Sequence, residues 1–206
     1  MCRYKLAIFD CDGVLFDSSQ ANKAYYNKIL EQFGLGPMSD EQFSYVHMHT
    51  AADSLAFLFK DRPELIHEAM EYAAKIGYDP FIPLMEMEPG VIETLEAIRP
   101  KLKTAISTNR STTMPRLIET FNLDKWFDTI VCALDVEKAK PDPEGVFKIL
   151  DELKVERDKS IYIGDSKVDE QVAFNAGIPL IAYKNPALNA KYHASHFRDI
   201  ASILLG

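Results

Sequence analysis

Long apolar runs are missing from this sequence. Nothing in its 206 residues approaches the roughly 20 apolar positions that a membrane-spanning helix needs. Cysteine is scarce as well. Cys2, Cys11 and Cys132 are odd in number and lack the spacing of a metal site or a disulfide framework, so a reducing, cytoplasmic setting is expected. Positive charge is in deficit, 23 Lys and Arg against 31 Asp and Glu. The resulting net charge of −8 argues against nucleic acid or an anionic membrane as the main partner. Repeats and low-complexity tracts are absent. The opening "MCRYKLAIFD" runs straight into strand-like sequence, so no secretory leader is expected. What is present is 47% hydrophobic and 26% charged, a globular composition. The length suits one domain of ordinary size with a small insertion.

Short apolar runs alternate with amphipathic stretches, the pattern of a parallel sheet flanked by helices. The expected strands are 5–9, 104–107, 129–133, 160–164 and 179–183. Asp142 and Pro143 read as an N-cap and first turn, followed by a stripe of Val146, Phe147, Leu150 and Leu153. Residues 166–176 place Val168, Val172, Ala173 and Ala176 on one face, and Gly177 is a natural stop. The segment between the first two strands is too long for a simple crossover. Ser39 and Gln42, then Thr50 and Asp53, have capping-box spacing, and Pro63 opens a stripe of Leu65, Ala69, Ala73 and Ile76. The expectation is therefore an α/β fold: a Rossmann-like parallel sheet with helices on both faces, from residues 1–16 and 88–206. A helical insertion at 17–87 is expected over the carboxyl edge of the sheet.

Ligands of open α/β sheets bind beyond the carboxyl ends of the strands. Here Asp10 and Asp12 follow the first strand, and Ser107, Thr108 and Asn109 the second. Lys138 and Lys140 follow the third, and Asp165, Ser166 and Asp169 the fourth. Such a gathering has narrow uses. Close carboxylates repel unless a hard cation sits among them, and oxygen-only ligands favour magnesium over zinc. A carboxylate can also attack phosphorus, while a lysine, hydroxyl and amide neutralise the phosphoryl oxygens.

"DCDGVLFDS", "ISTNR", "KAKPDP" and "GDSKVDEQVAFNAGI" resemble, in order, the four motifs of the haloacid dehalogenase-like hydrolases. More narrowly they are similar to the phosphoglycolate phosphatase and phosphoglucomutase-type branch, which carries a helical cap after the first motif. The resemblance covers essentially the whole chain, including "ASHFRDIASILL" as a last short strand and helix. It implies that Asp10 is the nucleophile and Asp12 the general acid/base. Thr108, Asn109 and Lys140 would bind the phosphoryl group. Magnesium would be held by the side chains of Asp10 and Asp165 and the main-chain carbonyl of Asp12, with Asp169 behind them orienting Lys140 or a metal-bound water. Gly13 would let the chain turn so that both acids face one small volume. The dehalogenases and phosphonate hydrolases of the superfamily lack the second acid, so Asp12 favours phosphate esters. The implied activity is a magnesium-dependent phosphatase acting on a small phosphorylated metabolite, as a monomer or homodimer. A phosphomutase uses the same motifs. A non-catalytic binding module would be expected to damage at least one of them, and all four are intact.

Some positions read in two ways. Ser107 and Lys138 are stand-ins for Thr108 and Lys140. Arg110 reads as a surface charge near a helix start. Asp17 is a hinge residue or a helix N-terminal acid. In "YVHMHT" (45–50), where branch members commonly carry a glycine-containing turn, His47 and His49 are either exposed loop imidazoles or contacts to the substrate's non-phosphate end. "YKNPALNA" (183–190) replaces a glycine-rich aromatic loop common in related phosphatases.

Overall fold

A computed structural model describes residues 3–206; Met1, and Cys2 of the three cysteines, lie outside the described residues. The chain divides into two compact units, one running up to Phe16 and resuming over Met87–Gly206, the other spanning Asp17–Glu86.

The first unit is built on six parallel strands: β1 (Leu6–Phe9), β2 (Lys103–Ser107), β3 (Thr129–Val131), β4 (Ser160–Gly164), β5 (Leu180–Tyr183) and β6 (Tyr192–Ala194). Their order across the sheet is β3-β2-β1-β4-β5-β6. All residues of β1, β4 and β5 are buried, which explains their unbroken apolar runs: both faces are covered. On one face Leu6 and Ile8 pack against helices Glu144–Leu153 and Lys167–Ala176, through Val146, Ile149, Val172 and Ala173. On the other, the Phe9 ring lies parallel to Phe197 of helix Phe197–Leu205, with centroids 6.5 Å apart, and meets Phe127 edge-on at 6.0 Å. Helix Val91–Ile98 buries Val91, Leu95 and Ile98 and packs against Phe197–Leu205.

Most expected strand bounds hold to within a residue, and two differences have a visible cause. The third strand stops at Val131, because Ala133–Asp135 turn into a short 3-10 helix whose Asp135 carboxylate accepts the Cys132 amide. The next long helix has Pro143 at its N-cap, one residue later than expected, while Asp142 accepts the Glu144 amide through its side chain.

Register places the site. Phe9 sits opposite Ile106 and Ile163, so β1, β2 and β4 end level. Asp10, Ser107 and Gly164–Asp165 therefore leave the sheet side by side. The chain moves outward from β1 to β2 and β3, then returns across β1 to β4, the kind of switch where an open α/β sheet leaves a crevice.

The second unit is helical: Ser19–Gln32, Asp40–Met48, Ala51–Leu58 and Ile66–Ile76, with 3-10 turns at Pro63–Leu65 and Asp79–Leu84. The Ser39/Gln42 box and the Thr50 cap both form. Its centre is aromatic, Tyr25 lying 5.1 Å from Tyr26 and Tyr78 and 5.5 Å from Phe81, ring to ring.

Candidate active site

Asp10 follows the last residue of β1 and is 8% exposed. Its Oδ1 accepts the Cys11 amide at 2.7 Å and pairs with Lys140 Nζ at 2.8 Å, which fixes the rotation of the carboxylate. Lys140 has three ammonium hydrogens and three acceptors: Asp10 and Asp169, both at 2.8 Å, and the Tyr162 hydroxyl at 3.1 Å. Tyr162 donates onward to the Ser107 carbonyl at 2.9 Å. The Lys140 carbonyl accepts from Asn109 Nδ2 at 3.1 Å, tying the loop after β2 to the lysine's own backbone.

Asp169 shows why an acid four residues after Asp165 has a place here. Ser166 caps helix Lys167–Ala176, and Asp169 occupies the third helical position of the reciprocal capping box. Its Oδ2 accepts from the Ser166 hydroxyl at 2.6 Å and from the Asp165 and Ser166 amides at 3.2 Å, leaving Oδ1 for Lys140. The helix terminus stabilises this fully buried negative charge. Gly164 permits the fit, because a Cβ there would lie 2.3 Å from Asp169 Cβ.

Asp10, Asp165 and Asp169 each offer an oxygen within 4.8 Å of the other two. Burial, then the charges of Asp169 and Asp12, push Asp10 up to about 7 against the opposing pull of Lys140. Burial, Asp169 and Asp10 push Asp165 up to about 8. Burial works against the Lys140 ammonium, but Asp10 and Asp169 outweigh it and hold its pKa well above the ordinary range. Three acids and one lysine leave a deficit of positive charge. Gly13, at φ +78°, passes so close to Asp165 that a Cβ would stand 2.2 Å from Oδ2. An all-oxygen donor set, crowded carboxylates and a glycine giving clearance to one of them fit a hard divalent cation.

Asp12 has a different cationic partner. Its two oxygens each accept from Arg110, Oδ2 from Nε and Oδ1 from Nη2, both at 2.7 Å. The side chains are 14% and 7% exposed, so the expected surface charge at Arg110 is instead a buried, two-pronged partner of Asp12. The reading failed because the pair is separated by 98 residues and only the sheet register brings it together. Thr108 is buried, and its hydroxyl accepts the Arg110 amide at 3.1 Å. Lys138 is exposed, and Lys140 is the lysine that pairs with Asp10.

Two participants escaped the sequence reading. Tyr162 looked like one more buried strand residue, its only signal a hydroxyl in an otherwise apolar run. Asn185, in the unusual 183–190 loop, donates to the Asp165 carbonyl at 2.8 Å. Cys11, between the two acids, is fully buried, and burial with the Asp12 charge raises its thiol well above the ordinary range.

His47 and His49 belong to the helical unit. The segment expected as a loop is the end of helix Asp40–Met48. His47 Nδ1 lies 3.1 Å from Asn22 Nδ2, whose oxygen accepts the Tyr78 hydroxyl at 2.6 Å. His49 Nδ1 donates to the Tyr45 carbonyl at 2.8 Å, and its ring stacks on Tyr45 at 3.8 Å. Both imidazoles are partly buried rather than exposed.

Comparison with known proteins gives a consistent picture. The phosphoglycolate phosphatase of Rhodobacter capsulatus is 30% identical over 95% of this chain and 93% of its own. A phosphorylated carbohydrates phosphatase of Thermotoga maritima is 31% identical over 84% and 82%. Among solved structures, a HAD-superfamily hydrolase of subfamily IA, variant 1, from Geobacter sulfurreducens superimposes with a TM-score of 0.81. It is 37% identical and covers 98% of this chain and 97% of its own. The Haloacid dehalogenase-like hydrolase family profile matches residues 7–183, from within β1 to the end of β5 and so across the ends of β1 to β5. With the sheet, the ordered acids and this match in agreement, the chain belongs to the haloacid dehalogenase-like hydrolases.

Proposed function

We propose that this protein is a phosphatase for a small phosphate monoester, with Asp10 as the group that accepts the phosphoryl. The observation that carries this reading is the Lys140 tripod, which holds Asp10 beside a second buried carboxylate and neutralises part of their charge. A carboxylate so fixed is oriented for attack, while the ammonium stands where charge on an incoming phosphoryl oxygen would need balance. The names of the Rhodobacter and Thermotoga relatives support small organic phosphates as the substrate class.

In this scheme Asp10 attacks phosphorus and the ester P–O bond breaks. The leaving oxygen takes a proton from Asp12. Water then attacks the same phosphorus and gives a proton back to Asp12; inorganic phosphate leaves and Asp10 is restored. Thr108 and Asn109 donate to the phosphoryl oxygens. Tyr162 and Asp169 keep Lys140 aimed. Magnesium, held by Asp10, Asp165 and the main-chain carbonyl of Asp12, would supply positive charge to the phosphoryl oxygens. The helical unit, residues 17–86, serves as a cap that excludes bulk water, with His47 and His49 as contacts to the non-phosphate end. The scarce cysteines accord with a cytoplasmic setting.

A free-phosphate assay over phosphoglycolate, sugar phosphates, pyrophosphate and nucleoside monophosphates, with magnesium and with chelator, tests the reading. Magnesium-dependent release from at least one small ester is expected. Release from none, or isomerised sugar phosphate in place of free phosphate, would contradict it.

A further inference from the structure

The pairing of Asp12 with Arg110 bears on which esters can be used. Both Asp12 oxygens are engaged by one guanidinium at 2.7 Å, through Nε and Nη2. The same arginine donates from Nη1 to Thr113 Oγ1 at 3.2 Å, and its amide donates to Thr108 Oγ1 at 3.1 Å. It is thus fastened at both ends to the loop that follows β2, and its side chain is 7% exposed. In this state the two bonds fix the direction in which the Asp12 carboxylate faces. Turning it toward the leaving oxygen of an ester would break at least one of them. That exchange would take from a buried cation the carboxylate that faces it, and a buried charge deprived of its partner is strongly destabilised.

We infer that Arg110 is a specificity-determining residue that selects esters carrying a second anionic group, a carboxylate or another phosphoryl, which replaces Asp12 on the guanidinium and frees Asp12 for the leaving oxygen. The planar fork of two N–H groups that now holds a carboxylate side-on suits either replacement. An ester of the same size without a second anionic group offers no such exchange, and with it Asp12 stays on Arg110. This inference rests on the assignment of Asp12 as the proton carrier. It adds that the substrate itself releases that carrier, so substrate choice is written partly into the sheet unit.

The test compares 2-phosphoglycolate and pyrophosphate with 2-hydroxyethyl phosphate, the near-isosteric ester without the second anion. For the wild type with magnesium, kcat/KM should favour at least one of the two probes that carry a second anionic group by about 100-fold or more, since a site built around a charge-assisted pair rejects the analogue that lacks it. Which of the two is favoured distinguishes a carboxylate from a phosphoryl as the second group. In Arg110→Gln the ratio of kcat/KM between the anionic probes and 2-hydroxyethyl phosphate should fall to within a few-fold of unity, whatever the absolute rates, and Arg110→Lys should restore part of it. A wild type that hydrolyses 2-hydroxyethyl phosphate within about threefold of both anionic probes overturns the inference without any variant, and leaves the phosphatase reading intact. Preference retained in Arg110→Gln also overturns it. Phosphate release from none of the three, nor from any ester of the wider panel, removes the phosphatase reading and the inference together.

Discussion

The strand ends of the sheet unit and the interior of the helical unit both bury polar side chains, but of different kinds. At the strand ends they include charged groups, Asp10, Lys140 and Asp169, all under 10% exposed and linked through one ammonium. In the helical unit they are neutral. Asn22 and Tyr78 join at 2.6 Å, Asn22 reaches His47, and Tyr25 donates to the Ala73 carbonyl at 3.4 Å, within a cluster of aromatic rings. Buried charges demand partners, and each partner must be of one type at one place. Neutral bonds among aromatics tolerate exchange far better. The first arrangement makes chemistry possible and constrains sequence. The second needs only a filled interior and constrains sequence less.

The sharpest way to break the comparison is Asp10→Asn. It leaves size and packing nearly unchanged and is expected to lower phosphate release by at least about a thousandfold, measured as kcat with magnesium. Thermal stability should hold or rise, because the substitution relieves crowding among three acids. Lys140→Met strikes the other side. It removes the cation facing Asp10 and the fully buried Asp169, which should cost about 3–5 kcal/mol in urea unfolding as well as activity.

Acidity separates the two regions next. Asp10 at about 7 and Asp165 at about 8 lie well above the ordinary 3.8, so the metal-free folded protein holds protons that the unfolded chain releases. The stabilisation from this source is full below about pH 4 and is lost as pH rises through those two values. In chelator, the melting temperature should fall between pH 5 and pH 9, by about several degrees. Asp165→Asn should flatten that fall, and magnesium should flatten it in the wild type.

In the helical unit, Tyr78→Phe removes the hydroxyl bonded to Asn22 and leaves that amide oxygen without its donor, a loss of about 1–2 kcal/mol in the same unfolding experiment. Activity on the preferred ester should change far less than in Lys140→Met. Smallest of all, Arg116→Ala removes an exposed pair with Glu119, 53% and 72% exposed, and should shift stability by less than about 0.5 kcal/mol.

The same contrast governs what could be read from the sequence. β1 and β4 were legible because both faces are buried and the runs are unbroken. Asp10, Asp165 and Asp169 were legible because each sits at a fixed step from a strand end, and the last doubles as a capping residue whose spacing is itself a pattern. Arg110 and Tyr162 were not, since their value lies in partners 98 and 22 residues distant, which only the register of the sheet supplies. The segment 45–50 was misjudged for a related reason: two histidines and a threonine suggest a polar turn, yet Phe43, Tyr45 and Phe57 stack against the imidazoles and one another and carry the helix through to Met48.

The central claim is that Asp10 receives the phosphoryl group. Quenching the enzyme during turnover and reducing it with borohydride converts an aspartyl phosphate to homoserine, which peptide mapping locates. Homoserine at position 10, present only with substrate and absent in Asp10→Asn, is the expected result. Homoserine at position 12, 165 or 169, or at no position while phosphate is being released, would contradict the account.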